Sequence, residues 1–245
     1  MAIKVITIDF WNTLFDSKNG NERNQYRNKI LKDHFEELGF NFTDGEYENA
    51  MKASWEYFSK IWQNDMRTPL SSELVEYYFK KMGVEADLER IDEIAFTFEE
   101  SIIKFKPDLL PGVKENLDIL KSKYKLAIVS DTGFSPGKVL RVLLNHYGIF
   151  DHFSAFSFSD ETGVSKPHKK AFQHVLDQLA YFPNEAIHIG DIEKTDVIGA
   201  KGIGMKAILF SGDKNSFFYK QQKGKSIADA EVGSWDEIPT LIDTL

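Results

Sequence analysis

Cysteine is absent from the 245 residues. Disulfides, thiolate metal sites and a cysteine nucleophile are therefore excluded. No apolar run approaches the ~18 residues of a membrane-spanning helix. The start of the chain lacks the basic region, apolar stretch and small-residue cleavage site of a secretory leader. The expected location is cytoplasmic, with no membrane partner. Positive charge is also in deficit, with a net charge of −8. Phosphate backbones are gripped by clustered Lys and Arg, so no nucleic-acid partner is expected. An acidic total still permits a local positive site for a small anion. There is no internal repeat and no low-complexity tract. What is present is ordinary for a globular protein: 42% hydrophobic and 28% charged residues. That length and composition suit one domain, or one domain carrying a sizeable insertion.

The run Ile3-Lys-Val-Ile-Thr-Ile8 is short, apolar and β-branched. It reads as a strand buried on both faces at the centre of a parallel sheet. It ends in Asp9-Phe-Trp-Asn-Thr13, where open α/β sheets bind ligands. Taken alone, Asp9 could equally cap the next helix. From residue 17 to 106 the rhythm is helical, with segments over 24–38, 44–63, 71–81 and 87–104. In the second, Tyr47, Met51, Ser54, Trp55 and Phe58 recur at three- and four-residue steps, continued by Ile61 and Trp62. Gly39, Gly45, Pro69 and Gly83 punctuate the block. Its aromatic stripe is expected to be bundle core rather than a ligand cage, and it also offers a candidate homodimer surface.

Beyond Pro111-Gly112 helices and strands alternate: helix 113–123, strand 125–129, helix 136–147, a weaker strand 153–158, helix 168–180, strand 186–189, helix 194–202 and strand 205–210. This alternation predicts an α/β fold, a Rossmann-like parallel sheet with right-handed crossovers. The first strand belongs to that sheet, so the four helices form an insertion. Residues 1–16 and 107–245 are the expected core domain, and 17–106 the helical domain. A polar loop over 211–225, an edge strand at 230–232 and a closing helix over 235–245 complete the expectation.

Each principal strand ends in residues suited to phosphate or metal chemistry. The first gives Asp9, Trp11 and Thr13, and the second gives Ser130-Asp131-Thr132-Gly133. Gly163-Val-Ser-Lys166-Pro167 follows the third, and Gly190-Asp191-Ile-Glu-Lys-Thr-Asp196 closes the fourth. On these motifs the chain resembles the haloacid dehalogenase-like (HAD) hydrolase superfamily over almost its full length. Asp9 and Thr13 match its first motif, Ser130 its second, Lys166-Pro167 its third, and Asp191 with Asp196 its fourth. The insertion is similar to the family's C1 helical cap. The resemblance implies a small phosphorylated substrate, with Asp9 as nucleophile giving an aspartyl-phosphate. It also implies Mg²⁺ held by Asp9, Asp191 and the backbone carbonyl of Trp11, with Asp196 orienting a ligand or water. Lys166 would supply a cation to Asp9 and the phosphoryl oxygens. Ser130 and Thr13 would supply hydroxyls, with Asp131 as a further substrate contact or a turn former.

The chain departs from the family at Trp11. Phosphatases of the family usually carry an aspartate there, as general acid and then base, and Trp can do neither. The loss removes assistance typically worth ~10²–10⁴-fold. Three readings follow: a phosphatase for good leaving groups or with an acid borrowed from the cap, a phosphate- or partner-binding relative, or a dehalogenase. Retention of Asp191 and Asp196 argues against dehalogenation. His188, inside a strand, reads as a satisfied core residue. Glu193 and Lys194 read as solvent-facing. Lys52, Arg67 and Lys104 are the helical block's candidate cations for an anionic group.

Overall fold

The computed structural model describes residues 2–214, 216 and 225–245. Six parallel strands form one sheet in the order β3-β2-β1-β4-β5-β6. They are β1 (Val5–Ile8), β2 (Lys125–Ser130), β3 (Phe153–Phe158), β4 (Ala186–Gly190), β5 (Lys206–Phe210) and β6 (Ala230–Val232). All four residues of β1 are buried, as a central strand covered on both faces requires. Ile8 is in register with Ile128 on one side and Ile189 on the other. The carboxyl ends of β1, β2 and β4 are thus level. Asp9 continues the ladder by donating its amide to the carbonyl of Ile189 at 2.9 Å.

Between β1 and β2 lie α1 (Gly20–Glu37), α2 (Asp44–Asp65), α3 (Ser71–Met82), α4 (Leu88–Lys104) and α5 (Val113–Lys121). Thr43 starts α2 through a reciprocal cap with Glu46, which satisfies amides the first turn leaves open. Asp87 does the same for α4 through the amide of Arg90. The first four helices share an apolar cluster built on Leu31, Phe35, Leu74, Phe79 and Phe98. Two further clusters cover the faces of the sheet.

The remaining α-helices among the described residues are α6 (Gly137–His146), the single turn α7 (Ser159–Thr162), α8 (Lys169–Leu179), α9 (Ile198–Gly202) and α10 (Ile238–Ile242). The helix expected over 194–202 is split: a π-helical turn, Glu193–Val197, precedes α9. The expected closing helix shrinks to a 3₁₀ turn, Trp235–Glu237, followed by α10. Pro239, in the first turn of α10, has no amide to carry the ladder back into the turn before it. Trp235 is fully buried and donates its indole N–H to the carbonyl of Thr13 at 2.7 Å. The C-terminal segment thereby braces the loop after β1. Most of the loop expected over 211–225 lies outside the described residues. No described helix is long and apolar enough to cross a membrane.

Candidate active site

The level strand ends bring Asp9, Lys166, Asp191 and Asp196 together, all four buried. Lys166 donates to Asp9 Oδ1 at 2.6 Å and to Asp196 Oδ1 at 2.7 Å. Asp9, Asp191 and Asp196 each offer a carboxylate oxygen within 4.8 Å of the others. Like charges so close are tolerable only with a cation among them. The ammonium is such a cation: burial pulls its pKa down, but the charges of Asp196, Asp9 and Asp131 outweigh that and hold it protonated.

The three acids answer differently. Burial pushes Asp9 up to about 7, against the opposing pull of Lys166. Asp191 is also driven upward by burial, and the charges of Asp9 and Asp196 add to the rise. Burial acts on Asp196 too, but Lys166 and a hydrogen bond from His188 overcome it and hold that carboxyl well below the ordinary range. Asp196 is committed on both oxygens. Oδ1 meets Lys166 and His188 Nε2, the latter at 2.9 Å, while Oδ2 accepts from the Ile192 amide at 3.0 Å and Thr195 Oγ1 at 3.2 Å.

The π-helical turn sets the Asp196 side chain against Gly190, the last residue of β4. A Cβ at Gly190 would collide with the Asp196 side chain, so that position requires glycine. His188 is fully buried, as expected, yet it is more than filler. Its Nδ1 lies 2.8 Å from Thr7 Oγ1 and its Nε2 faces Asp196. Burial lowers its pKa and keeps it neutral. The neutral ring then accepts from Thr7 and donates to Asp196.

Above this cluster lies a cavity of about 430 Å³. Its floor includes Asp9, Trp11, Asp131, Lys166 and Asp191, and its helical wall includes Arg23, Arg27, Trp55, Phe58 and Trp62. Thr13, Ser130 and Asp196 lie behind the floor rather than on it. Among the described residues, Ser130 Oγ donates only to the carbonyl of Asp131, at 3.3 Å, and Thr13 Oγ1 is buried without a hydrogen-bond partner. Asp131 bridges floor and wall. Oδ1 accepts from the Lys166 amide at 2.9 Å and Oδ2 from the Trp62 indole at 2.7 Å. Burial raises its carboxyl to about 6, with Lys166 pulling the other way.

Trp11 lines the cavity, edge-on to Phe10 at 5.3 Å, with the Arg23 guanidinium 5.8 Å from its ring centre. Trp55 and Phe58 pack against the helical core cluster, as expected of the aromatic stripe of α2, and with Trp62 they also line the cavity. Tyr47, Met51 and Ile61 on the same helix are the buried part of that stripe. Lys52, Arg67 and Lys104 do not line the cavity. Arg67 instead pairs with Glu73 at 2.9 Å, and Lys104 sits 4.0 Å over the Tyr26 ring. Glu193 does not simply face solvent, since it accepts from Ser226 Oγ at 2.5 Å and the Ile227 amide at 3.0 Å.

Arg23 and Arg27 went unrecognised in the sequence because α1 begins a turn earlier than its apolar pattern. Its buried residues are Arg23, Arg27, Leu31 and Phe35. The four-residue step leading from Phe35 through Leu31 was the signal that could have found them.

The family model for haloacid dehalogenase-like hydrolases matches residues 3–204. A glyceraldehyde 3-phosphate phosphatase of Pyrococcus furiosus is 33% identical over 139 residues, covering 56% of this chain and 54% of that protein. The chain spans about half the length of the curated relatives it matches. Among solved structures, a 2-haloacid dehalogenase of Pseudomonas syringae superposes with a TM-score of 0.71 at 18% identity, over 99% of each chain. A HAD phosphatase of Thermococcus onnurineus gives 0.65 at 21% identity, over 98% of each. At those identities the superpositions establish the fold alone.

Proposed function

Since the chain belongs to the haloacid dehalogenase-like hydrolases, we propose that it is a Mg²⁺-dependent phosphatase of small phosphorylated metabolites, with Asp9 as nucleophile. One observation carries the reading: a buried ammonium 2.6 Å from Asp9, in a group of three carboxylates, Asp9 and Asp191 on the cavity floor and Asp196 behind it. The phosphatase relative supports phosphate as the substrate group. The helical block 17–106, as an insertion over the core 1–16 and 107–245, is proposed to act as a cap.

The donor set fits a hard divalent cation. It is all oxygen, and the adjacent His188 has both ring nitrogens committed to Thr7 and Asp196. Asp9 and Asp191 would hold the ion with the backbone carbonyl of Trp11, while Asp196, committed on both oxygens, braces Lys166 and the site from behind. Bound there, the ion would supply positive charge that offsets the repulsion between a carboxylate and a phosphoryl group.

Asp9 attacks phosphorus, forms the acyl phosphate and expels the leaving oxygen. Lys166 holds Asp9 in place and meets the phosphoryl charge. Water then cleaves the acyl phosphate, releasing inorganic phosphate and restoring Asp9. The family's hydroxyl positions, Ser130 and Thr13, lie behind the floor and are assigned no direct contact with the phosphoryl group. Trp11 gives the leaving group no proton, so substrates that depart as stable anions, such as acyl or aryl phosphates, are expected to turn over fastest.

The test is a panel of phosphate esters and anhydrides with and without Mg²⁺, run beside Asp9→Asn. Hydrolysis of activated phosphates that requires Mg²⁺ and disappears in Asp9→Asn is expected. Turnover in excess EDTA would remove the metal from the reading, and turnover by Asp9→Asn would remove the nucleophile. Trp11 favours one alternative, a phosphate-binding relative with little catalysis. Affinity for phosphate analogues with no turnover across the panel would establish it.

A further inference from the structure

The helical wall of the cavity holds two cations that the phosphoryl chemistry does not use. Arg23 and Arg27 lie one helical turn apart on α1 and both line the cavity. Arg27 is only 3% exposed. Among the described residues, neither guanidinium forms an ion pair. Arg27 reaches Asn24 Oδ1 at 3.1 Å and the Phe98 carbonyl at 3.4 Å, and its Nε is buried without a partner. Arg23 spends Nη1 on the carbonyls of Lys18 and Phe105, each at 2.9 Å. Asp16 and Glu22 act on Arg23 only through their fields. Burial, with the charge of Arg23 beside it, pushes Arg27 down to about 9. The folded protein therefore tolerates two like charges, largely out of water and short of acceptors.

A buried charge without its counter-ion is costly. The rings beside Arg27 soften that cost, with Phe134 at 4.5 Å and Phe98 at 5.9 Å from its guanidinium carbon. Ring faces do not accept the in-plane N–H bonds that a planar guanidinium offers to carboxylates and phosphates. Every carboxylate lining the cavity comes from the floor: Asp9, Asp131 and Asp191. The helical wall contributes guanidiniums, side-chain amides and aromatic rings. Trp11, in place of an acid, lies beneath Arg23 as a ring and adds no competing carboxylate. The volume, about 430 Å³, is at the small end of the ~300–1,000 Å³ typical of ligand pockets. One compact molecule can meet both sides.

We propose that Arg23 and Arg27 form an anion subsite for the leaving group, so that the substrates are phosphoryl compounds carrying a second anion, a carboxylate or a second phosphate, on a short chain. This deepens the phosphatase reading and rests on it.

Binding of non-hydrolysable phosphonates decides it, read from quenching of the cavity tryptophans Trp11, Trp55 and Trp62. The probes are phosphonoacetate, 3-phosphonopropionate and 5-phosphonopentanoate, each beside the alkylphosphonate of equal chain length. 1,3-Propanediphosphonate serves as the second-phosphate arm. In the wild-type chain with Mg²⁺, at least one dianion should bind about 10-fold more tightly than its alkyl match, a difference of ~1.4 kcal/mol. The arm that gains most tells carboxylate from phosphate. Arg23→Gln and Arg27→Gln should each close that gap to within about 2-fold. A purely structural arginine would weaken both members of a pair alike. If alkylphosphonates bind and no dianion of any length gains, the subsite is overturned while the phosphoryl reading stands. If no phosphonate binds, both fall. The wild-type comparison decides even if Arg27→Gln fails to fold.

Discussion

The floor and the helical wall of the cavity are built on opposite principles. On the floor, charge is answered by charge: Lys166 lies within 2.7 Å of carboxylates on both sides, and Asp196 has both oxygens engaged. On the wall, charge is left to rings and carbonyls, with two guanidiniums and, among the described residues, no carboxylate partner. The floor comes from short segments at the ends of buried strands, where backbone position is fixed by the sheet. The wall comes from helix faces, where side-chain identity can change without moving the frame. A fixed reaction and an adjustable choice of substrate can therefore occupy one cavity.

The sharpest way to break this contrast is Lys166→Met. It strips the floor of its ammonium and leaves Asp9 and Asp196 without their shared partner. A kcat loss of about 10³-fold is expected. Unchanged kcat in a steady-state assay would show that the ammonium has no part in the reaction.

Trp11→Asp moves the boundary in the other direction, returning an acid to the floor and taking the ring from beneath Arg23. Turnover of esters with poor leaving groups should rise at least 10-fold, a fraction of the ~10²–10⁴ that acid–base assistance supplies. Activated phosphates should gain little. An equal response of the two classes would mean that proton donation does not limit the rate.

Trp62→Phe removes the hydrogen bond joining wall to floor. Such a bond to a charged group is worth ~1.5–3 kcal/mol net, part of which water recovers at Asp131. A KM increase of about 5–10-fold with a smaller change in kcat is expected. A fall in kcat alone would place Trp62 in the chemistry instead.

The smallest effect concerns support from below. The unfolded chain takes up a proton at His188 below its ordinary value of 6.5, and the folded chain only at lower pH. The stability tied to this residue is thus complete above pH 6.5 and is lost as pH falls toward the folded value. Thermal melts of His188→Gln should show a flatter fall than wild type between pH 6.5 and 5. Parallel curves would mean that the ring takes up its proton at the same pH in the folded and unfolded chains.

The two halves of the site were not equally readable in the sequence. Asp9 and Asp191 could be placed together because each closes a short apolar strand, and a parallel sheet sets such ends side by side; Lys166 and Asp196, further along their loops, joined them through the resemblance to the family's motifs. Trp11 stood out because it replaces an expected acid. The wall was harder, since a buried arginine looks like a surface arginine until the partner helix is in place. Arg23 and Arg27 share a face with Leu31 and Phe35, but apolar periodicity counts them as polar. Trp55, Phe58 and Trp62 satisfied helical spacing equally well as core or as cavity wall. Thr13 and Ser130 show the converse: their motif was readable, and the structure sets them behind the floor. Neither could the split of 194–202 be seen, because a π-helical turn is made by one extra residue between ladder bonds and leaves no mark in hydrophobic spacing.

Asp131 links the two halves through a single side chain. One oxygen holds the amide of Lys166 and the other the indole of Trp62. Any swing of α2 away from the sheet must break the second bond. It would expose to water a carboxyl whose other oxygen still grips the backbone of the reactive lysine. The position of α2 and the placement of Lys166 are therefore mechanically tied, and the indole, itself fluorescent, lies at the joint between them.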